Sequence, residues 1–187
     1  EKKTVTVDPE VLAKDLNGDG HISKEEMDKV LNVELPENTR IWDARSYFTF
    51  MFNCRGMNFI DVAYLKKDNI KSGRLIYRRI KTGKLYNIKL TKKALEIIKH
   101  HTKGRVIKPT DYLFPILPKE TMGDVEKERE RFRNRRKYFN QDLKKIGEAC
   151  ELEANLTSYV SRHTWASLAK FAGVAPAVIG ESLGHSD

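Results

Sequence analysis

Residues 69–90 constrain the fold of this chain most, because their side chains alternate as in a strand while the flanking sequence has helical spacing. Two alternating runs, 75–80 and 86–90, are separated by Lys81-Thr82-Gly83-Lys84, which is typical of a tight turn. Ser72-Gly73 marks a second turn and predicts a short strand at 69–71 beside the hairpin. These residues therefore predict a single small antiparallel sheet of three strands.

Apolar residues at helical spacing fill most of the remaining sequence. Ser23 and Glu26 predict a capping box, and Pro36 lies in the break that ends this first helix. The other predicted helices cover 39–66, 91–103, 124–152, 158–172 and 177–183, the last opened by Pro176. A proline-containing loop is expected over 104–121. The fold class is therefore α+β, a mainly α-helical domain over 23–187 with a small three-stranded antiparallel sheet.

Charge and composition narrow the class of partner. Lys and Arg number 35 against 26 Asp and Glu, a formal net charge of +9, which favours a polyanion such as nucleic acid. No apolar run reaches the roughly 20 residues that span a bilayer. Cys54 and Cys150 lie in helix-like stretches, so we interpret them as reduced packing residues of a cytoplasmic protein.

The most specific motif is at the end of the chain, over 156–187. Arg162 is preceded three residues earlier by Tyr159, and Leu-Gly-His-Ser with His185 follows about two dozen residues after it. This block resembles the second motif of the tyrosine recombinases, in which an H-x-x-R box precedes L-G-H-S. The resemblance implies that Arg162 grips a DNA phosphate with its planar fork and that His185 hydrogen-bonds it. Tyr159 stands where the family has a histidine, and its phenol still offers a donor.

The hairpin turn resembles the family's strand pair that carries a catalytic lysine. Lys81 matches that lysine, with Lys84 as the competing choice, and it would protonate the leaving 5′ oxygen. A solvated hairpin tip is the alternative interpretation.

Residues 53–70 resemble the family's first block, an arginine followed three residues later by Glu or Asp. Aligning Asp61 with that acid places Asn58 where the arginine belongs, and Arg55 lies three residues earlier. A continuous helix would put Arg55 on the same face, within reach of the same phosphate. This displaced arginine is similar to that of integrases of conjugative transposons. A surface Arg55 is the alternative, and Asp61 is expected to orient a catalytic arginine or histidine.

The resemblance implies site-specific DNA recombination and integration. A tyrosine attacks the phosphate, a 3′-phosphotyrosyl link forms, and no cofactor is required. In the family that tyrosine follows the L-G-H-S histidine by roughly nine residues, about two and a half helical turns. Because the sequence ends at Asp187, we expect a truncated domain that binds double-stranded DNA without cleaving it. Residues 1–22 are expected to be a linker from a missing core-binding domain, and the full-length protein to act as a homo-multimer on DNA.

A competing motif covers residues 15–26 and fits the EF-hand calcium loop. Its ligands would be Asp15, Asn17, Asp19, His21 and Glu26. A non-catalytic DNA-binding or calcium-binding regulatory protein is therefore the alternative function. The basic run within 127–145 is interpreted either as a solvated helix face or as a surface for DNA phosphates.

Overall fold

The computed structural model describes residues 21–183, which form seven α-helices and one small sheet. The helices are α1 (Lys24–Asn32), α2 (Arg40–Asn53), α3 (Phe59–Ala63), α4 (Lys92–Thr102), α5 (Val125–Ala149), α6 (Val160–Phe171) and α7 (Pro176–Leu183). The strands are β1 (Ile70–Lys71), β2 (Arg74–Arg78) and β3 (Leu85–Lys89). The α+β fold class is confirmed. Most of the predicted linker 1–22 lies outside the described residues.

Side-chain caps set the helix starts that the sequence predicts. Ser23 Oγ accepts a hydrogen bond from the backbone of Glu26, and Glu26 Oε2 accepts one from the backbone of Ser23 at 2.8 Å. Thr91 Oγ1 accepts from the backbone of Ala94 at 3.1 Å. These contacts satisfy backbone donors that have no partner within the helix.

The sheet has the order β1-β2-β3 and is antiparallel throughout, which confirms the predicted hairpin and third strand. In the β2–β3 register Leu75 pairs with Ile88 and Tyr77 with Tyr86. All four side chains are buried on one face. The paired strands end at Arg78 and Leu85, so the following residues, 79–84, form the connection.

The predicted helix over 39–66 is wrong as a single element. Helix α2 ends at Asn53, and α3 begins only at Phe59. Between them Arg55 and Gly56 have φ of 60° and 66°, in the left-handed region that a right-handed helix cannot contain. Local apolar spacing is satisfied by both short helices, so periodicity alone did not reveal the break.

Helix α2 runs through the centre of the core, where Phe48, Phe50 and Met51 are fully buried. It packs against α4, α5 and α6. Cys54 and Cys150 are both buried free thiols in the described part of the chain, as the packing interpretation predicts. Between residues 21 and 183, no helix is both long and apolar enough to cross a membrane.

A buried histidine in this core predicts acid sensitivity. The His101 ring stacks on Tyr47 at 4.9 Å, and its Nε2 lies 2.9 Å from Ser46 Oγ. Burial lowers the pKa of His101 to about 4 from its ordinary 6.5. The unfolded chain takes up a proton below about pH 6.5 and the folded protein does not. We therefore expect stability to fall between about pH 6.5 and about pH 4, by about 3 kcal/mol from this group.

Urea unfolding across this pH range measures the effect. The matched control is His101→Phe, which keeps an aromatic ring against Tyr47 but cannot titrate. The free energy of unfolding of His101→Phe should lack the fall that His101 causes between about pH 6.5 and about pH 4. Equal pH dependence in the two proteins would contradict the assignment to His101.

Candidate active site

Two arginines from different parts of the fold meet at one backbone oxygen. Arg79 Nη1 donates to the carbonyl of Leu183 at 2.8 Å, and Arg162 Nη2 donates to the same oxygen. Arg162 Nη1 also lies 3.4 Å from the carbonyl of Gly56. Arg162 lies in the first turn of helix α6, and Arg79 lies in the hairpin connection.

Arg79 is a site residue that the sequence interpretation missed. It continues the buried face of β2 after Leu75 and Tyr77, and only 9% of it is exposed. Its backbone N–H donates to the Lys84 carbonyl at 2.9 Å, and its carbonyl accepts from the Gly83 N–H at 2.7 Å, so two bonds extend the hairpin beyond the paired strands. The available signal was an arginine at a position where strand alternation calls for an apolar residue.

Gly56 allows Arg162 to sit where it does. A Cβ added to Gly56 would lie 2.7 Å from the Arg162 Cα, closer than side chains approach a backbone atom. The φ of Gly56 is also +66°, a conformation that glycine adopts without steric cost. The left-handed break after α2 therefore brings the α2–α3 connection directly against the start of α6.

Two further cations reach the last turn of α7. Arg55 Nη1 lies 3.5 Å from Ser182 Oγ, and Lys84 Nζ lies 3.3 Å from the carbonyl of Glu181. The expectation that Arg55 shares a helix face with Asn58 is wrong, because Arg55 is left-handed and outside both helices. Arg55 still lies near the site, but it enters from the α2–α3 turn.

Asp61 links α3 to the hairpin connection by a hydrogen bond. Its carboxylate accepts the backbone N–H of Ile80 at 2.8 Å, and only 3% of the residue is exposed. Burial raises the pKa of Asp61, while the Ile80 N–H and the charges of Arg79 and Arg162 oppose that rise. Asp61 thus holds the backbone between Arg79 and Lys81, where the hairpin enters the site.

The electrostatics of the cluster favour an anion. Burial lowers the pKa of Arg162, and the neighbouring charge of Arg79 lowers it further. Carbonyl oxygens at the end of α7 carry partial negative charge, which partly offsets the cations. An anion bound between the two guanidinium groups would remove most of their mutual repulsion.

The other predicted site residues are either exposed or outside the described part of the chain. Tyr159 is at the start of α6 and 68% exposed, with its ring 6.3 Å from that of His163. Lys81 is exposed at the hairpin turn. His185 lies outside the described residues.

Half of the calcium motif lies outside the described residues, including the predicted ligands Asp15, Asn17 and Asp19. His21 is buried beside Ile22, whose N–H donates to Thr164 Oγ1 of α6 at 3.1 Å. Glu26 takes part in the capping box. Among residues 21–183, no group of three or more His, Cys, Asp or Glu side chains is placed to hold a metal ion.

Solved structures of similar fold include three DNA recombination proteins. XerA recombinase matches with a TM-score of 0.62 at 16% identity, over 89% of this chain and 56% of that one. The Tn1549 transposon integrase in complex with transposon right end DNA matches with a TM-score of 0.62 at 15% identity, over 95% of this chain and 62% of that one. A lambda integrase dimer bound to a COC′ core site matches with a TM-score of 0.56 at 19% identity, over 90% of this chain and 56% of that one. The chain thus spans roughly three fifths of each of these proteins.

Sequence comparison with curated proteins finds no match. The profile of the phage integrase family, however, matches residues 21–187, which is most of the chain and includes every described element. The similar folds agree with this assignment, and so do the motif residues around Arg162. The chain belongs to the phage integrase family.

Proposed function

We propose that this chain is the catalytic domain of a site-specific DNA recombinase that cuts and rejoins DNA through a 3′-phosphotyrosyl link. The observation that carries the proposal is the convergence of Arg79 and Arg162 on one acceptor oxygen. Each guanidinium has five N–H donors, so both retain donors for the non-bridging oxygens of a phosphate. Paired arginines suit the charge that develops on a phosphate during transfer.

The remaining roles follow from the chemistry of strand cleavage. A tyrosine oxygen attacks phosphorus, and the bond to the 5′ oxygen breaks with that oxygen taking a proton. Lys81 or Lys84 is proposed as the proton donor, because both lie in the hairpin connection that Asp61 holds. Tyr159 and His185 are proposed as further hydrogen-bond partners of the phosphate. The phosphodiester bond energy is kept in the protein–DNA link, so the reverse step rejoins a strand.

Double-stranded DNA is the proposed partner. The net charge of +9 supports it, and so does the exposed basic run of α5. That run consists of Arg129, Arg131, Arg133, Arg135 and Arg136. Contacts between these arginines and DNA phosphates would supply affinity without sequence information. The DNA complex of the Tn1549 integrase and the lambda integrase dimer on its core site support a homo-multimer on DNA.

Covalent trapping tests the proposed activity. The product of the complete gene is incubated with a nicked duplex that carries its recombination site, so that the cleaved strand diffuses away and rejoining stops. We expect a protein–DNA adduct that survives denaturing gel electrophoresis, with a free 5′-hydroxyl on the released strand. Salt-dependent DNA binding without any adduct would instead support the non-catalytic DNA-binding alternative.

A further inference from the structure

Two buried polar atoms beside the arginine pair have no hydrogen-bond partner in the described part of the chain. They are Tyr86 Oη and Arg79 Nε. Tyr86 is only 8% exposed and Arg79 only 9%. A buried donor without a partner costs stability, so each such group in a native protein calls for an explanation, and a catalytic role or a bound ion is one.

The hairpin register places these two groups together. Tyr86 of β3 pairs opposite Tyr77, and their rings stack with centroids 5.3 Å apart. Arg79 follows Tyr77 by two residues on the same face, so Arg79 and Tyr86 are diagonal neighbours across the hairpin. Tyr86 also lies close enough to Arg162 to affect the electrostatics of its guanidinium.

The chemistry of the two groups limits what can satisfy them. Arg79 Nε is only a donor, and a phenol beside two guanidinium groups is better used as a donor than as an acceptor. Both therefore need acceptor oxygens. A phosphate offers several, and its charge also balances Arg79 and Arg162.

We propose that the Tyr86 hydroxyl and Arg79 Nε–H donate to the non-bridging oxygens of the DNA phosphate that Arg162 binds, which makes Tyr86 a further catalytic residue. The inference rests on the proposed recombinase function. Tyr86 lies in the hairpin that resembles the family's lysine-bearing strand pair, but its role is inferred only from the hairpin register and the burial of its hydroxyl.

The test uses Tyr86→Phe in the complete gene product. This variant keeps the ring that stacks on Tyr77 and removes only the hydroxyl. The rate of covalent trapping at saturating protein should fall about tenfold to a hundredfold, as expected for one lost hydrogen bond to a charged group. The matched control is Tyr47→Phe, another buried tyrosine that packs on Phe114 in the core. It should change the trapping rate less than about twofold, because it is remote from the phosphate.

A sulfur substitution separates phosphate contact from a structural role. Sulfur at a non-bridging position of the scissile phosphate accepts a hydrogen bond more weakly than oxygen. In one of the two stereoisomers the sulfur faces Tyr86. For that stereoisomer the native protein should trap the oxygen substrate faster than the sulfur substrate, and this rate ratio should be smaller in Tyr86→Phe. An unchanged ratio in both stereoisomers would overturn the role of Tyr86.

The controls distinguish failure of this inference from failure of the proposed function. If the native protein forms an adduct and Tyr86→Phe forms it at the same rate, only the Tyr86 inference is overturned. If neither protein forms an adduct, the recombinase proposal fails and the Tyr86 inference with it. Unfolding curves of both variants exclude loss of the fold as the cause of a slower rate.

Discussion

Replacing Arg162 with alanine is expected to slow covalent trapping by about a thousandfold or more, because one preorganised cation at a transferring phosphate contributes that much. Arg162 is half-buried, and its guanidinium already lies beside that of Arg79 at the Leu183 carbonyl. The measurement is the single-turnover rate of adduct formation by the complete gene product on the nicked duplex. DNA affinity should fall much less, since many other phosphate contacts remain.

Arg79→Ala is expected to produce a loss of similar size, and this variant decides between two candidates for the second arginine. Arg79 shares an acceptor with Arg162, whereas Arg55 lies on an exposed turn with its Nη1 3.5 Å from Ser182 Oγ. The matched control is Arg78→Ala, the exposed neighbour of Arg79 whose Nη1 donates to the Gly83 carbonyl. It should slow trapping less than about tenfold. Normal trapping by Arg79→Ala together with a large loss in Arg55→Ala would transfer the role to Arg55.

Gly56→Ala, which adds a single methyl group, is expected to destabilise the domain by about 3 kcal/mol or more. Two costs add: overpacking against the backbone of Arg162 at 2.7 Å, and a left-handed φ that alanine disfavours. The backbone at Arg162 cannot yield without moving the start of α6. Urea unfolding of the 187-residue chain measures the loss.

Gly73→Ala is the matched control for Gly56→Ala. Gly73 has a similar φ of +72°, but a Cβ there would meet no atom within 4 Å. It should therefore cost only the conformational part, about 1 kcal/mol. Equal losses in the two variants would show that contact with Arg162 does not restrict residue 56.

Most of the fold was predictable because its signals are local. The Ser23–Glu26 capping box, the Thr91 cap and the hairpin around its K-T-G-K turn depend on residues a few positions apart. The break after α2 was not predictable from the same signals. Apolar spacing continues through Arg55 and Gly56, and only the approach of Arg162, more than a hundred residues later, explains the turn.

The sequence by itself determined the element types and the motif that contains Arg162, because caps, periodicity and motif spacing are written in neighbouring residues. Only the tertiary structure decided which side chains meet Arg162. Arg79 reaches it because strand register buries every second residue of the hairpin, and Asp61 holds that hairpin from another helix. These contacts join residues far apart in the chain, and their geometry depends on packing that no local pattern specifies.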